Sequence, residues 1–429
     1  MAGRLPHRAL RRQQADQVSW TPLTKCRGCD SSDLAPVVEL GMLPLVNAFE
    51  PIGPSVPATL YPHTLVWCAR CGLAQQSGRV DAETLFGKSY PYRSSVTRAL
   101  RDNFAGLYAE HRKIAPLGPD DLVVDIGGND GNLLSHFLAH RTLNVTPEDM
   151  GKLGEERGIP HHQAYWGLET AREVVAKHGQ AKLITATNVF AHTPSPSDFL
   201  EGVTHALAPG GIFVSESHYL PDLLRGVQYE TLYLEHDRML SLQSTRHQLA
   251  AHDLTIIGAR SIPTHGGSIR VYAMRKSESR EIPLNVHPAS AMTRLPNQIY
   301  EDSVTLADFA TFRGRVAEHR HDLRQLLAAY WSAGLKVAGL GAPSRASTMV
   351  SYCGLSVEDV ACVYEHPSSY KVGKWMPGSR IPVVAEPERI DADVLLVFNH
   401  HIFQDMKAKV LSKGFTGRLL VPLPEVRVE

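Results

Sequence analysis

The sequence has no net charge to spend on a partner: 44 Lys and Arg stand against 44 Asp and Glu over 429 residues. Such a balance offers no bulk field for a nucleic-acid backbone or an anionic membrane surface. Long apolar runs are missing as well, and none approaches the roughly 18 residues of a membrane span. Residues 1–20 carry Arg4, Arg8, Arg11 and Arg12 without an apolar core, so they do not read as a signal peptide. A disordered tail over 1–20 and a cytoplasmic protein are expected. No repeat of solenoid period is present. The 21 histidines are scattered, which fits surface and packing positions. A chain of this length should form two or three domains, each with its own core.

Cysteine is scarce at six residues, and a reducing compartment disfavours reading them as a disulfide framework. Four fall as Cys26-x-x-Cys29 and Cys68-x-x-Cys71, a spacing that suits tetrahedral zinc, with Gly28 and Gly72 allowing tight turns. No histidine or carboxylate joins the set. A closed structural site away from the chemistry is therefore expected rather than a catalytic one. The segment between the pairs is Pro-rich and nearly free of Lys and Arg, which speaks against a nucleic-acid zinc ribbon. Cys353 and Cys362 lie in apolar sequence and read as core thiols.

The most informative stretch is Val124-Asp125-Ile126-Gly127-Gly128-Asn129-Asp130-Gly131, which joins a short apolar strand to a turn that small residues favour. A helix is expected over 132–138. A carboxylate at a strand end, glycines in the turn and helix N–H groups beyond it make a crevice for a nucleoside-type cofactor. Neither Gly-x-Gly-x-x-Gly nor the Gly-Lys-Ser/Thr of a P-loop is present. The spacing is nearest to the Asp/Glu-x-Gly-x-x-x-Gly loop of S-adenosylmethionine (SAM) dependent methyltransferases. Apolar runs at 143–145, 183–186 and 212–214, with a helix over 199–207, continue a parallel α/β sheet. Runs at 254–257 and 269–274 read as a late antiparallel hairpin across Gly266-Gly267. After a linker at 283–296 and a long helix over 306–332, a second α/β unit starts at 335–341 and runs through 360–364, 393–398 and 419–421. Domain limits are set at 21–94 for the cysteine module, 95–280 for the first α/β unit, 281–332 for linker and helix, and 333–429 for the second unit.

Tyr233-Leu234-Glu235-His236 places a phenol, a carboxylate and an imidazole within one turn of chain. Removing a proton beside a carbonyl needs a base that titrates near neutrality, which histidine supplies and a neighbouring carboxylate can orient. A phenol can donate to the resulting enolate. Asn188 and His192 follow the 183–186 strand, and strand ends on the carboxyl side hold ligands in open α/β sheets, so both should face the Asp125 crevice.

In their order along the chain, these segments resemble the SAM-dependent C-methyltransferases of deoxysugar nucleotide biosynthesis. The resemblance runs from Cys26 onward. It rests on the two cysteine pairs, Leu40-Gly41-x-x-Pro44-Leu45, Tyr90-Pro91-Tyr92-x-Ser94-Ser95, Ile126-Gly127-x-Asn129-Asp130-Gly131, Asn188-x-x-x-His192, Tyr233-x-Glu235-His236, His265-Gly266-Gly267 and Met376-Pro377-Gly378. It implies a Rossmann-like SAM-binding domain between an N-terminal zinc module and a C-terminal α/β nucleotide-binding-like domain. Zinc is structural in that family. The implied cofactor contacts are Asp125, Gly127, Asn129, Asp130, Gly131, Glu148 and Asn188. By the same resemblance His236 is the base, Glu235 supports it, and Tyr90, Tyr233 and His192 steady the enolate of a nucleotide-linked, dTDP-type, 4-keto deoxysugar in secondary-metabolite and antibiotic biosynthesis. Three departures stand out. Thr146-Pro147 replaces the family's Glu-Pro, with Glu148 following; Arg345 replaces a lysine, and Glu365 an aspartate. A non-methylating isomerase or cyclase on the same fold, and a non-catalytic nucleotide-binding partner, are the competing expectations.

Overall fold

A computed structural model describes residues 20–53, 58–85, 94–95, 98–278 and 303–429. The tail expected before residue 20, the linker at 283–296 and Tyr90 lie outside the described residues.

The central sheet has seven strands, in the order Leu254–Ile262, Ser268–Arg275, Leu207–His218, Ala181–Thr187, Leu122–Ile126, Arg141–Val145 and His161–His162. The last five run parallel and the first two form the antiparallel edge hairpin. Leu122–Ile126 is buried at every position. Burial at every position belongs to a strand covered on both faces. The chain leaves this strand toward one edge first and later returns to its other side at Ala181–Thr187. A topological switch point therefore opens between the two carboxyl ends, the usual seat of a ligand.

One expectation fails here. Residues 132–138 do not form a helix, and a single 3-10 turn, Leu134–His136, stands in their place. The reason is length. The chain must return over a five-residue strand, roughly 17 Å, whereas seven α-helical residues cover only about 10 Å. A looser path is needed, and buried Leu134 and Phe137 anchor it.

A second sheet of eight strands surrounds Val337–Leu340, flanked by Val363–Glu365 and Val394–Val397. Its far edge is Glu50–Pro51, contributed by the N-terminal module. A third sheet joins Leu34–Pro44, Leu60–Cys68 and Ala74–Gln76 of the cysteine module to Arg238–Met239. The helix Leu306–Ser332 starts in a Thr305–Asp308 capping box. Its buried Phe309, Phe312, Val316, Leu323 and Leu327 share one core with Leu40, Leu224 and Met349. All three parts of the chain therefore share apolar packing. Among the described residues no helix is long and apolar enough to cross a membrane.

Candidate active site and its metal neighbour

A cleft of about 1030 Å³ lies at the carboxyl ends of the central strands and continues to the second α/β unit. Its first end is the glycine turn. Gly127 has a φ of +65°, and a Cβ there would strike Val189 at 2.5 Å. At Gly128 a Cβ would meet Asp125 Oδ2 at 2.6 Å and Asn144 Oδ1 at 2.7 Å. Glycine is thus required on steric grounds, and the turn stays open as a cradle. Asp125 is buried and accepts a hydrogen bond from Thr185 Oγ1 at 2.6 Å. Burial pushes its carboxyl up to about 7. Asn129 and Asp130 are tied to Ser94, whose N–H donates to Asn129 Oδ1 at 3.0 Å and whose hydroxyl donates to Asp130 Oδ1 at 2.7 Å. Asn129 lines the cleft; Asp130 and Gly131 shape the loop behind it. Thr146 is fully buried. Its hydroxyl donates to Glu148 Oε2 at 3.4 Å, and Asn129 Nδ2 donates to the same oxygen at 3.0 Å. Glu148 thus reaches the cleft wall beside the position where Thr146 departs from the family pattern.

Leu100 and Phe104 close this end from the helix Arg98–Ile114. That helix is bound to the sheet through Arg270, whose Nη1 meets Glu110 Oε2 at 2.6 Å and whose Nε meets Glu216 Oε1 at 2.6 Å.

At the other end, four imidazoles converge. Ring centres are 5.1 Å apart for His192 and His236, 4.7 Å for His218 and His236, and 5.4 Å for His218 and His265. His236 Nδ1 donates to the Thr231 carbonyl at 2.8 Å. The tautomer follows from that bond: Nε2 keeps the lone pair and accepts from the Tyr233 hydroxyl at 2.8 Å. Burial drives His236 well below the usual histidine range, and neighbouring His192 adds to the effect. His192 and His265 are held down to about 4 by burial. His192 Nδ1 donates to the Glu235 backbone carbonyl at 2.7 Å. Asn188 Nδ2 lies 3.5 Å from His265 Nε2.

Glu235 does not orient His236, as the sequence had led us to expect. The carboxylate faces Asn47 Nδ2 at 3.5 Å. Burial raises it to about 7, and its second oxygen is buried without a hydrogen bond. The orienting acceptor is a backbone carbonyl instead. Arg345 enters from the second unit and makes a 3.7 Å ion pair with Glu230. Glu230 also accepts from His400 Nε2 at 3.1 Å.

Sequence reasoning missed His218 and His265 as site residues, and the scatter of histidines along the chain concealed their convergence. His218 ends the strand Leu207–His218, the same carboxyl-end position that singled out His192. His265 has a φ of 57°, a left-handed conformation rare for a non-glycine residue and itself a sign of a constrained site.

The sulfur atoms of Cys26, Cys29, Cys68 and Cys71 all lie within 4.8 Å of one another. The Cys26 and Cys71 sulfurs lie 3.5 Å apart. The Gly28 N–H and Gln75 Nε2 donate to Cys26 Sγ. Four converging sulfurs with no other ligand fit a closed tetrahedral zinc site. The site lies close to His236 in space, because Arg27 of its turn ion-pairs with Asp237, the neighbour of His236.

The chain matches a zinc binding domain over residues 26–86, a methyltransferase domain over 92–258 and a C-methyltransferase C-terminal domain over 263–424. It is 31% identical over 417 residues to the C-methyltransferase NovU of Streptomyces niveus, covering 95% of this chain and 97% of that protein. The chain belongs to the SAM-dependent C-methyltransferase family. This sets aside the isomerase or cyclase and the non-catalytic readings. A ubiquinone biosynthesis O-methyltransferase of Psychrobacter arcticus is 30% identical over 115 residues, 25% of this chain and 44% of that one. Among solved structures, the magnesium protoporphyrin IX methyltransferase of Synechocystis with bound SAH has a TM-score of 0.33 at 13% identity, covering 41% of this chain and 83% of that chain.

Proposed function

We propose that this C-methyltransferase acts on the carbon beside the ketone of a nucleotide-linked 4-keto deoxysugar, with His236 as the base. The observation that carries this reading is the fixed tautomer of His236 inside a cleft continuous with the cofactor cradle. Asp125, Gly127, Asn129, Asp130, Gly131, Glu148 and Asn188 would bind SAM, which supplies an electrophilic methyl group when bound. The Cys26, Cys29, Cys68 and Cys71 set would hold structural zinc, and its free thiols suit a reducing cytoplasm.

The resting hydrogen bond between Tyr233 and His236 explains how one site can both polarise a ketone and deprotonate its neighbour. When a substrate carbonyl takes the Tyr233 hydroxyl as its donor, Nε2 of His236 is released to accept the carbon-bound proton. The weak basicity of a buried imidazole is offset when proton transfer leaves an imidazolium beside an enolate. Glu235, with one buried oxygen unpartnered, would accept from a substrate hydroxyl or amine. His192 and Tyr90 complete the enolate's surroundings by resemblance to the family. Arg345 brings a cation from the second unit, where the substrate's nucleotide and its phosphates would lie, dTDP being the nucleotide the resemblance favours. A place in antibiotic or other secondary-metabolite biosynthesis follows from the same reading.

The test is mass spectrometry of the zinc-loaded protein with SAM and a panel of nucleotide-linked ketosugars in deuterated solvent. One sugar should gain a methyl group. His236→Gln should lose both methylation and solvent exchange of the acidic hydrogen while still binding SAM. Undiminished methylation by His236→Gln would falsify the assignment of the base.

A further inference from the structure

The segment around the proposed base is held by the metal-binding module as well as by the domain in which it sits. Arg27, between the first two thiols, ion-pairs with Asp237, and both side chains are buried. The Arg27 backbone N–H donates to Gln75 Oε1 at 3.1 Å, while Gln75 Nε2 donates to Cys26 Sγ at 3.3 Å. The next residue, Gln76, grips the turn at two points. Its N–H donates to the Asp237 carbonyl at 2.9 Å, and its side-chain amide donates to the Tyr233 carbonyl at 3.3 Å. Strand pairing of Gln75 with Arg238 and Ala74 with Met239 completes the clamp. Arg238 then carries it across the cleft, donating to the Phe190 carbonyl two residues before His192.

A staple that served only its own loop would need none of these contacts. Nor does a buried ion pair add much net stability, since desolvation offsets most of its attraction. What such a pair does well is fix a register.

We infer that the metal-binding module is a positioning device for the base: Arg27, Gln75 and Gln76 hold residues 233–237 so that the Thr231 carbonyl and the Tyr233 hydroxyl both meet the His236 ring. This deepens the reading above and rests on His236 being the base. Arg27 and Gln76 are positioning residues, acting through Asp237 and the Tyr233 carbonyl. Metal held by the four thiols would fix the 26–29 turn and with it the Arg27 side chain.

The experiment uses the full-length, zinc-loaded protein with ¹³C-labelled histidine, the His236 ring signal being assigned by its loss in His236→Gln. In Arg27→Ala, with zinc retained, the His236 signal should move and its pKa rise toward the ordinary histidine range as water reaches the ring. SAM affinity by calorimetry should stay at the wild-type value, because the cradle hangs on other strands. Arg27→Lys should restore part of the wild-type signal as a point charge without the guanidinium fork. An unmoved His236 signal in Arg27→Ala overturns the inference. Should that variant lose zinc or unfold, Asp237→Asn breaks the same pair from outside the module, and an unmoved signal there overturns it equally. Retained methylation in His236→Gln would instead sink the base assignment while leaving the positioning result standing.

Discussion

Glu148→Ala should weaken SAM binding sharply, although Glu148 lies two residues beyond the family's usual carboxylate position. Thr146, at that position, is fully buried and spends its hydroxyl on Glu148 Oε2. Asn129 Nδ2 holds the same oxygen, which leaves Oε1 of Glu148 for the ribose hydroxyls of a bound cofactor. A hydrogen bond to a charged acceptor contributes about 1.5 to 3 kcal/mol. Removing the carboxylate also takes one partner from Asn129, whose left-handed backbone shapes the cradle. Together these changes should cost about 2 to 3 kcal/mol, roughly a 30- to 150-fold rise in Kd. Thr146→Glu should not help, because it sets a second carboxylate against Glu148 in a buried wall. Burial raises the Glu148 pKa. SAM affinity should therefore climb as pH rises through that pKa and Glu148 ionises, and Glu148→Ala should remove the dependence. Calorimetric titration of SAM into the zinc-loaded protein reads all three outcomes. An unchanged Kd in Glu148→Ala together with tighter binding in Thr146→Glu would refute the reasoning and show that Glu148 never replaced the missing residue.

Metal analysis should give about one zinc per chain, and chelation should lower the melting temperature; full stability of a metal-free preparation would contradict a structural site. Glu235→Gln should be more stable than the wild type above neutral pH, as read by thermal melts across pH. The sign follows from burial: the Glu235 pKa rises from 4.5 to about 7 on folding, so its contribution is fully present below 4.5 and is lost as pH rises through about 7. A difference that grows on acidification instead would show that Glu235 is buried as the ion.

The features legible in the sequence were those whose physics is local. Cys-x-x-Cys is a ligand pair within one turn, and the Asp125–Gly131 loop announces itself because its glycines have no substitute where a Cβ would strike Val189 or Asp125. The strand-end rule reaches Asn188 and His192, and it applies equally to His218. The 3-10 turn at Leu134–His136 was hidden because crossover length depends on where the next strand begins. Adjacency alone pairs Glu235 with His236; the acceptor that orients His236 is a carbonyl that every residue carries, so no side-chain pattern can encode it.

Least visible was the closeness of the metal site to His236. Ala74–Gln76 and Arg238–Met239 become neighbours only when the third sheet closes across more than half of the first 240 residues, and neither strand has a pattern that names the other. Chain separation hid the contact, and the same separation gives it physical meaning. A turn fixed only by its own residues would depend on local hydrogen bonds that open readily, whereas one clamped by a strand pairing, a buried ion pair and a thiol-bound glutamine opens only with the surrounding structure. His236 is therefore held as firmly as the sheet is, which is what the proposed base needs if it must place one imidazole nitrogen within reach of a weakly acidic carbon.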